Sequence, residues 1–252
     1  MIIFLLIVLV GFAVQYIDGV LGMGYGASSS SLLIAAGFMP AVVSASVHTA
    51  EIFVSLLSGV SHLRFGNVDK KIVLPLICAG VIGGVSGAYF LANMPPLLIR
   101  PIVAIILLVM GGRIFVKYIL KKHIILGKGE FTKKFLFPLG FLGGLIDAIC
   151  GGGWGPLCTS TLVSANKAEP RYVVGSVNLA EFFITIAITL TFIFIIGFEN
   201  FLWAITIPLI IGGVIAAPIA AYTCKKIPPR LLGILVGAIL IALNARTLIM
   251  TI

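Results

Sequence analysis

An all-α, polytopic membrane protein made of two inverted repeats of five helical segments each is what this sequence predicts, and three observations predict it. The first is composition: 60% of the 252 residues are hydrophobic and only 10% are charged, too few polar groups to cover a water-soluble globule. The second is an internal duplication. The third is where the basic residues fall once the duplicate is laid out.

Ile17-Asp18-Gly19-Val20-Leu21-Gly22-Met23-Gly24-Tyr25-Gly26 returns as Ile146-Asp147-Ala148-Ile149-Cys150-Gly151-Gly152-Gly153-Trp154-Gly155. Downstream, Pro40 and Pro170 each stand eleven residues before an acid, Glu51 and Glu181. Pro75 then matches Pro208, Tyr89 matches Tyr222, Pro95-Pro96 matches Pro228-Pro229, and Arg113 matches Arg246. The first repeat is placed at 1–120, a basic cytoplasmic linker with a Gly-Lys-Gly centre at 121–133, and the second repeat at 134–252; together they make one membrane domain.

The helical segments are expected at 2–17, 27–37, 41–63, 71–92 and 96–120, then at 134–149, 157–166, 171–196, 202–223 and 229–250. At about 1.5 Å per residue the second segment of each half spans roughly 16 Å, about half of a ~30 Å hydrocarbon core. It reads as the returning arm of a hairpin that enters with segment one and breaks at the glycines. Three full crossings follow in each half.

Five segments is an odd number, so the second half lies upside down relative to the first. Basic residues then gather on one face: three in the loop at 64–71, seven at 113–134, two at 167–171 and three at 225–230, which is 15 of the 17 in the chain. Only Arg100 and Arg246 fall on the other face. The positive-inside rule makes the crowded face cytoplasmic and puts both termini outside. The net charge of +9 is accounted for by these loops and is not a nucleic-acid signal. Segment one has no basic residue near its start and no small-residue cleavage site, so it is not a removable signal peptide. Cys78, Cys150, Cys158 and Cys224 lie in or at the edge of apolar segments without CxxC spacing, which suggests neither a disulfide framework nor a zinc site. His62 and His123, near basic helix ends, are expected at the interface.

A helix that begins in mid-membrane directs unpaired N–H groups and a partial positive charge at whatever precedes it, and glycines let a ligand approach closely. Two such starts from opposite leaflets would meet near the midplane, as broken helices do in inverted-repeat transporters. The expected anion-binding residues are Gly22, Gly24, Tyr25, Gly26, Ser28 and Ser29 in the first copy, with His48 behind them. In the second copy they are Gly151, Gly153, Trp154, Gly155 and Thr159, with Asn178 in the place of His48. Asp18, Glu51, Asp147 and Glu181, half of the eight acids, form two symmetric pairs at membrane depth, where a carboxylate is expensive and tends to keep its proton. They are read as coupling or gating groups, or as acceptors for the loop amides that brace the hairpins. His48 sits one helical turn before Glu51, but Asn178 is a weak ligand for transition metals, so polar lining is expected rather than a metal site. No cofactor is expected.

These residues resemble the sulfite exporter TauE/SafE family, within the 4-toluene sulfonate uptake permeases. The resemblance covers nearly the whole chain and rests on Asp18 to Gly26, the pattern from Pro40 to Glu51, Arg64-Phe65-Gly66-Asn67-Val68-Asp69 and the double-proline starts. It implies a carrier, not an enzyme, for sulfur-containing or organic anions such as sulfite or sulfonates, in a bacterial or archaeal inner membrane. Tyr25 and the serine run depart from relatives that are glycine-rich and apolar there, which bears on the particular substrate rather than the class.

The expected partners are a small anion and the bilayer. A helix-start site accepts sulfite, sulfonate and carboxylate alike. Outward movement of one negative charge gains about 2.3 kcal/mol per 100 mV, so export needs no coupling ion while uptake needs protons or cations. Two other classes fit parts of the sequence. A cation or divalent-metal transporter would use the four acids as ligands, and an intramembrane enzyme would need Asp18 and Asp147 as a close dyad.

Overall fold

Proline and aspartate punctuate the chain, and the helices begin where they stand. The computed structural model describes residues 2–120, 130–224, 226 and 229–251. In chain order its helices are α1 (Ile2–Leu21), α2 (Tyr25–Ala35), α3 (Pro40–Arg64), α4 (Lys70–Ala92), α5 (Pro96–Ile119), α6 (Lys133–Cys150), α7 (Ser160–Ser164), α8 (Pro170–Ile196), α9 (Trp203–Thr223) and α10 (Pro229–Thr251). A π-helical turn, Gly155–Thr159, leads into α7, and a 3-10 turn, Phe198–Asn200, precedes α9. Pro40, Pro96 and Pro170 occupy first-turn positions, where a missing N–H breaks no helical bond. Asp69 caps α4, its carboxylate accepting from the Lys71 amide at 2.9 Å.

All ten expected segments are present. The largest displacement is at α1, which runs four residues past the expected 17 to Leu21 and so carries Asp18 inside the helix. The apolar run continues to Leu21, and only Gly22 ends it. Most of the expected linker, with His123, falls outside the described residues.

Among the described residues, seven helices are long and apolar enough to cross a membrane: α1, α3, α4, α5, α8, α9 and α10. α6 has 18 residues but carries Lys133, Lys134 and Asp147, and α2 and α7 are too short. The exterior is apolar, with Leu97 and Phe194 each 85% exposed, a surface that lipid rather than water solvates. Polar residues are instead inside: Gln15, Asp18, His48, Glu51, Asp147, Asn178 and Glu181 are all buried.

Helix contacts come in pairs related by exchange of the halves. α1 packs on α9 as α6 packs on α4, α3 packs on α9 as α8 packs on α4, and α3 with α8 and α5 with α10 pair with their own counterparts. Small residues allow the closest of these approaches. A Cβ at Gly83 would strike the Phe141 carbonyl and one at Gly144 the Gly80 carbonyl, across α4 and α6; Gly212 sits equally tightly against Val8 of α1.

Candidate functional site

Each glycine loop is built the same way from its aspartate outward. Gly22 and Gly151 end α1 and α6 in the left-handed region, at φ +67° and +68°, which glycine adopts without steric penalty. Their amides donate back to the Asp18 and Asp147 carbonyls at 2.5 and 2.7 Å. The aspartate side chains then reach across the turn. Asp18 Oδ1 accepts from the Tyr25 amide at 3.4 Å, and Asp147 Oδ1 accepts from the Trp154 amide at 2.8 Å. Each therefore satisfies a leading orphan donor of the returning helix and closes its own loop. The two aspartates each cap their own loop.

The loops also hold each other. Ser30 Oγ donates to the Gly151 carbonyl at 2.5 Å, and Thr159 Oγ1, in the equivalent place, donates to the Gly22 carbonyl at 2.6 Å. Gly26 lies against Gly152, so closely that a Cβ on Gly152 would fall on the Ala27 amide, and Gly155 lies against Gly22 and Met23. The two helix starts thus meet glycine to glycine, each covered by the other's loop.

The far end of α2 is held as well. Arg100 Nη2 donates to the Ile34 and Phe38 carbonyls at 3.2 and 3.4 Å, and Arg246 Nη1 to Ala35 at 3.1 Å. These are the two basic residues left off the crowded face, and they sit at a helix C-terminus, where carbonyls and dipole favour cations. In the second half Arg113 Nη2 reaches Thr161 Oγ1 at 2.8 Å and Lys117 Nζ the Ser160 carbonyl at 3.1 Å.

Beside the loops lies a polar centre that crosses the halves. His48 Nε2 on α3 is 3.2 Å from Asp147 Oδ2 on α6 and 3.8 Å from Glu51 Oε2, one turn along its own helix. Ligand-capable atoms of these three residues lie within 4.8 Å of one another, the one such grouping among the described residues. The His48–Asp147 separation is that of a hydrogen bond. Asn178 departs from this pattern: it accepts from Ser58 Oγ at 2.9 Å and donates to the Val174 carbonyl at 3.1 Å. Glu181 on α8 is buried and close enough to Asp18, Glu51 and Asp147 for the charges to interact.

Of the expected residues, His48, Glu51 and Asp147 are brought together, as are Gly22 with Thr159 and Gly155 across the loops, while Asn178 is engaged with Ser58. Ser28 is buried at the start of α2, its amide bonded to the Gly24 carbonyl at 3.0 Å, and the Gly153 carbonyl accepts from Leu157 at 3.0 Å. Among the buried polar atoms near the first glycine loop that have no hydrogen-bond partner are Tyr25 Oη, Ser29 Oγ and Gln15 Nε2. Gln15 was legible only as a lone amide in an apolar segment, one turn before Asp18. Ser44, whose Oγ donates to the Ala148 carbonyl at 2.6 Å, and Asn244, which donates to Ser31 Oγ at 2.8 Å, carried no motif. His62, near the basic end of α3, is fully buried, its Nε2 3.1 Å from the Gly19 carbonyl of α1. Cys150 and Cys158 are free and buried.

A family model described as Sulfite exporter TauE/SafE matches residues 7–247. The chain is 44% identical over 247 residues to the Probable membrane transporter protein YtnM of Bacillus subtilis (strain 168), covering 95% of this chain and 81% of that protein. No solved structure is a significant match.

Proposed function

Because the chain belongs to the sulfite exporter TauE/SafE family, a family of membrane transporters, we propose that it carries small sulfur-containing or organic anions, such as sulfite or sulfonates, out of a prokaryotic cell across its inner membrane. The observation that carries this reading is the set of unpartnered donors on the two helices that flank the first glycine loop. Tyr25 Oη, Ser29 Oγ and Gln15 Nε2 are each at most 2% exposed at the residue level and have no partner. A buried donor left unsatisfied costs about 1–3 kcal/mol, and an oxyanion beside the α2 start satisfies several at once. Tyr25 and Ser29 lie one turn apart on one face of α2, and Gln15 and Asp18 one turn apart on α1.

The carrier works as two inverted repeats with both termini outside. The exchange-related helix contacts support this drawing, as does the 15-to-2 partition of basic residues. Access alternates as the interlocked glycine loops part toward one side or the other. On the outer side the path begins at a cavity of about 560 Å³ by the α2–α3 turn, lined by Phe38, Met39, Pro40, Ile99 and Asn200 among others. Export follows the membrane potential.

The test is ligand-induced thermal stabilisation of the purified protein by sulfite, alkyl sulfonates, carboxylates and divalent metals. Sulfite or a sulfonate should raise the melting temperature of the wild type, and Tyr25→Phe or Gln15→Leu should reduce that rise. Stabilisation by metals and by no anion would overturn the reading in favour of cation transport. Topology is tested separately by single cysteines at Gly127 and Asn200 on a cysteine-free background. Labelling of both by an impermeant reagent outside intact cells would end the inverted arrangement.

A further inference from the structure

Resting on the carrier reading above, we infer that a single proton held between His48 Nε2 and Asp147 Oδ2, with Glu51 as its next acceptor, is the ion coupled to anion movement, and that only one copy of the motif carries it.

The hydrogen-bond geometry sets the proton count. Two atoms face His48 Nδ1: the Ser44 carbonyl at 2.7 Å and Ser44 Oγ at 3.2 Å. The single hydroxyl hydrogen of Ser44 is committed to the Ala148 carbonyl at 2.6 Å. Both neighbours are therefore acceptors, and Nδ1 carries a hydrogen. A neutral imidazole in that form has a bare lone pair at Nε2, which would face an ionised Asp147 Oδ2 at 3.2 Å with no donor between two acceptors. The pair is fully buried. One proton between Nε2 and Oδ2 resolves the conflict, whether it is drawn on the imidazole or on the carboxyl.

Glu51 Oε2 has no hydrogen-bond partner, is buried, and lies 3.8 Å from Nε2. The other titratable groups around this centre are Asp18 of α1, Tyr25 of α2 and Glu181 of α8, within interaction range of Glu51, and the buried thiols Cys150 and Cys158, within range of Asp147. α4, α5 and α10 carry charged residues only near their ends, and α9 carries none. The pair ties α3 to the α6 hairpin, alongside the Ser44–Ala148 bond. When the loops part, that tie breaks: Glu51 Oε2 gives a proton to water on the open side and is refilled from Nε2, a net release of one proton, leaving a neutral imidazole and an Asp147 carboxylate still capped by the Trp154 amide. In the other half Asn178 replaces the histidine and is bonded to Ser58 and Val174. An amide there carries no transferable proton, so this imidazole relay exists in one copy of the motif.

The experiment uses proteoliposomes and a labelled alkyl sulfonate that does not titrate near neutral pH. Wild type should exchange sulfonate for sulfonate and accumulate it against its gradient when a pH gradient is imposed. His48→Asn, which copies the other half, should lose pH-driven accumulation, so that the ratio of accumulation to exchange collapses whatever exchange rate is left. Accumulation unchanged in His48→Asn, or wild type that exchanges sulfonate yet shows no accumulation with the pH gradient, overturns the inference and leaves the carrier reading standing. Absence of wild-type exchange with every anion tested overturns both. A variant-free check guards against misfolding: the chain has three histidines, and ¹⁵N-histidine spectra should show one ring with hydrogen on Nδ1 and a shared proton at Nε2. A buried ring with a bare Nε2 would be decisive against it.

Discussion

The two glycine loops share a framework and differ in what they leave open. Both have the left-handed glycine, the aspartate cap and the hydroxyl donated to the opposite loop. They then diverge. Positive φ occurs at Gly22 and Gly24 in the first loop and at Gly151 and Gly152 in the second, one residue earlier. The first continues as an eleven-residue helix with four serines, while the second passes through a π turn containing Pro156 into the five-residue α7. Trp154 Nε1 donates to the Val177 carbonyl at 3.1 Å, whereas Tyr25 Oη has no partner. What the copies share holds the hairpins in shape. What they do not share includes the unpartnered hydroxyls of Tyr25 and Ser29.

The largest effect expected from that difference is at Gly152. A Cβ there falls on the Gly26–Ala27 backbone, while at Gly24 the nearest atoms are side-chain methyls of Ile17 and Val236 at 3.5 and 3.6 Å. Gly152→Ala should cost more than about 4 kcal/mol and prevent accumulation of folded protein. Gly24→Ala, strained only by its backbone, should cost about 1–3 kcal/mol. Detergent-extracted yield and melting temperature measure both, and equal losses would break the asymmetry.

Next comes the shared part. Ser30→Ala and Thr159→Val each leave a buried carbonyl short of a donor and should cost about 1–3 kcal/mol apiece, by similar amounts if the reciprocal bonds are equivalent. A large difference between the two melting temperatures would show that one loop bears the interface alone.

The aromatic pair sharpens the comparison further. Trp154→Phe removes a satisfied bond and part of a fully buried ring, so stability should fall by about 1–3 kcal/mol. Tyr25→Phe removes a hydroxyl that bonds to nothing, and stability should hold or rise while ligand-induced stabilisation falls. A Tyr25→Phe variant as destabilised as Trp154→Phe would mean that the hydroxyl is structural.

The smallest effect lies outside the bilayer. Glu130 Oε1 accepts from Lys71 Nζ at 2.6 Å between side chains 78% and 72% exposed, and that bond holds the Glu130 carboxyl below its usual range. Its folded-state value is depressed, so its contribution is present above the ordinary carboxylate range and is lost as pH falls through the lowered value. Solvent screening leaves little of it. Glu130→Gln should not move the melting temperature at neutral pH.

The number and type of the helices, and most of their limits, were legible in the sequence, because apolar length, proline and glycine are local signals that act within a few residues. The aspartate caps were legible for the same reason: donor and acceptor are seven residues apart. The extension of α1 over Asp18 was not, since Ile17 to Leu21 reads equally as helix or loop until Gly22 takes a positive φ. Only tertiary structure decided the centre. Ser30 meets Gly151 across 121 positions, Thr159 meets Gly22 across 137, and His48 meets Asp147 across 99. No periodicity links such residues. They come together because glycines let α6 approach α4 and let the two loops touch, and a buried imidazole then takes the nearest carboxylate, on the opposite half, as its partner.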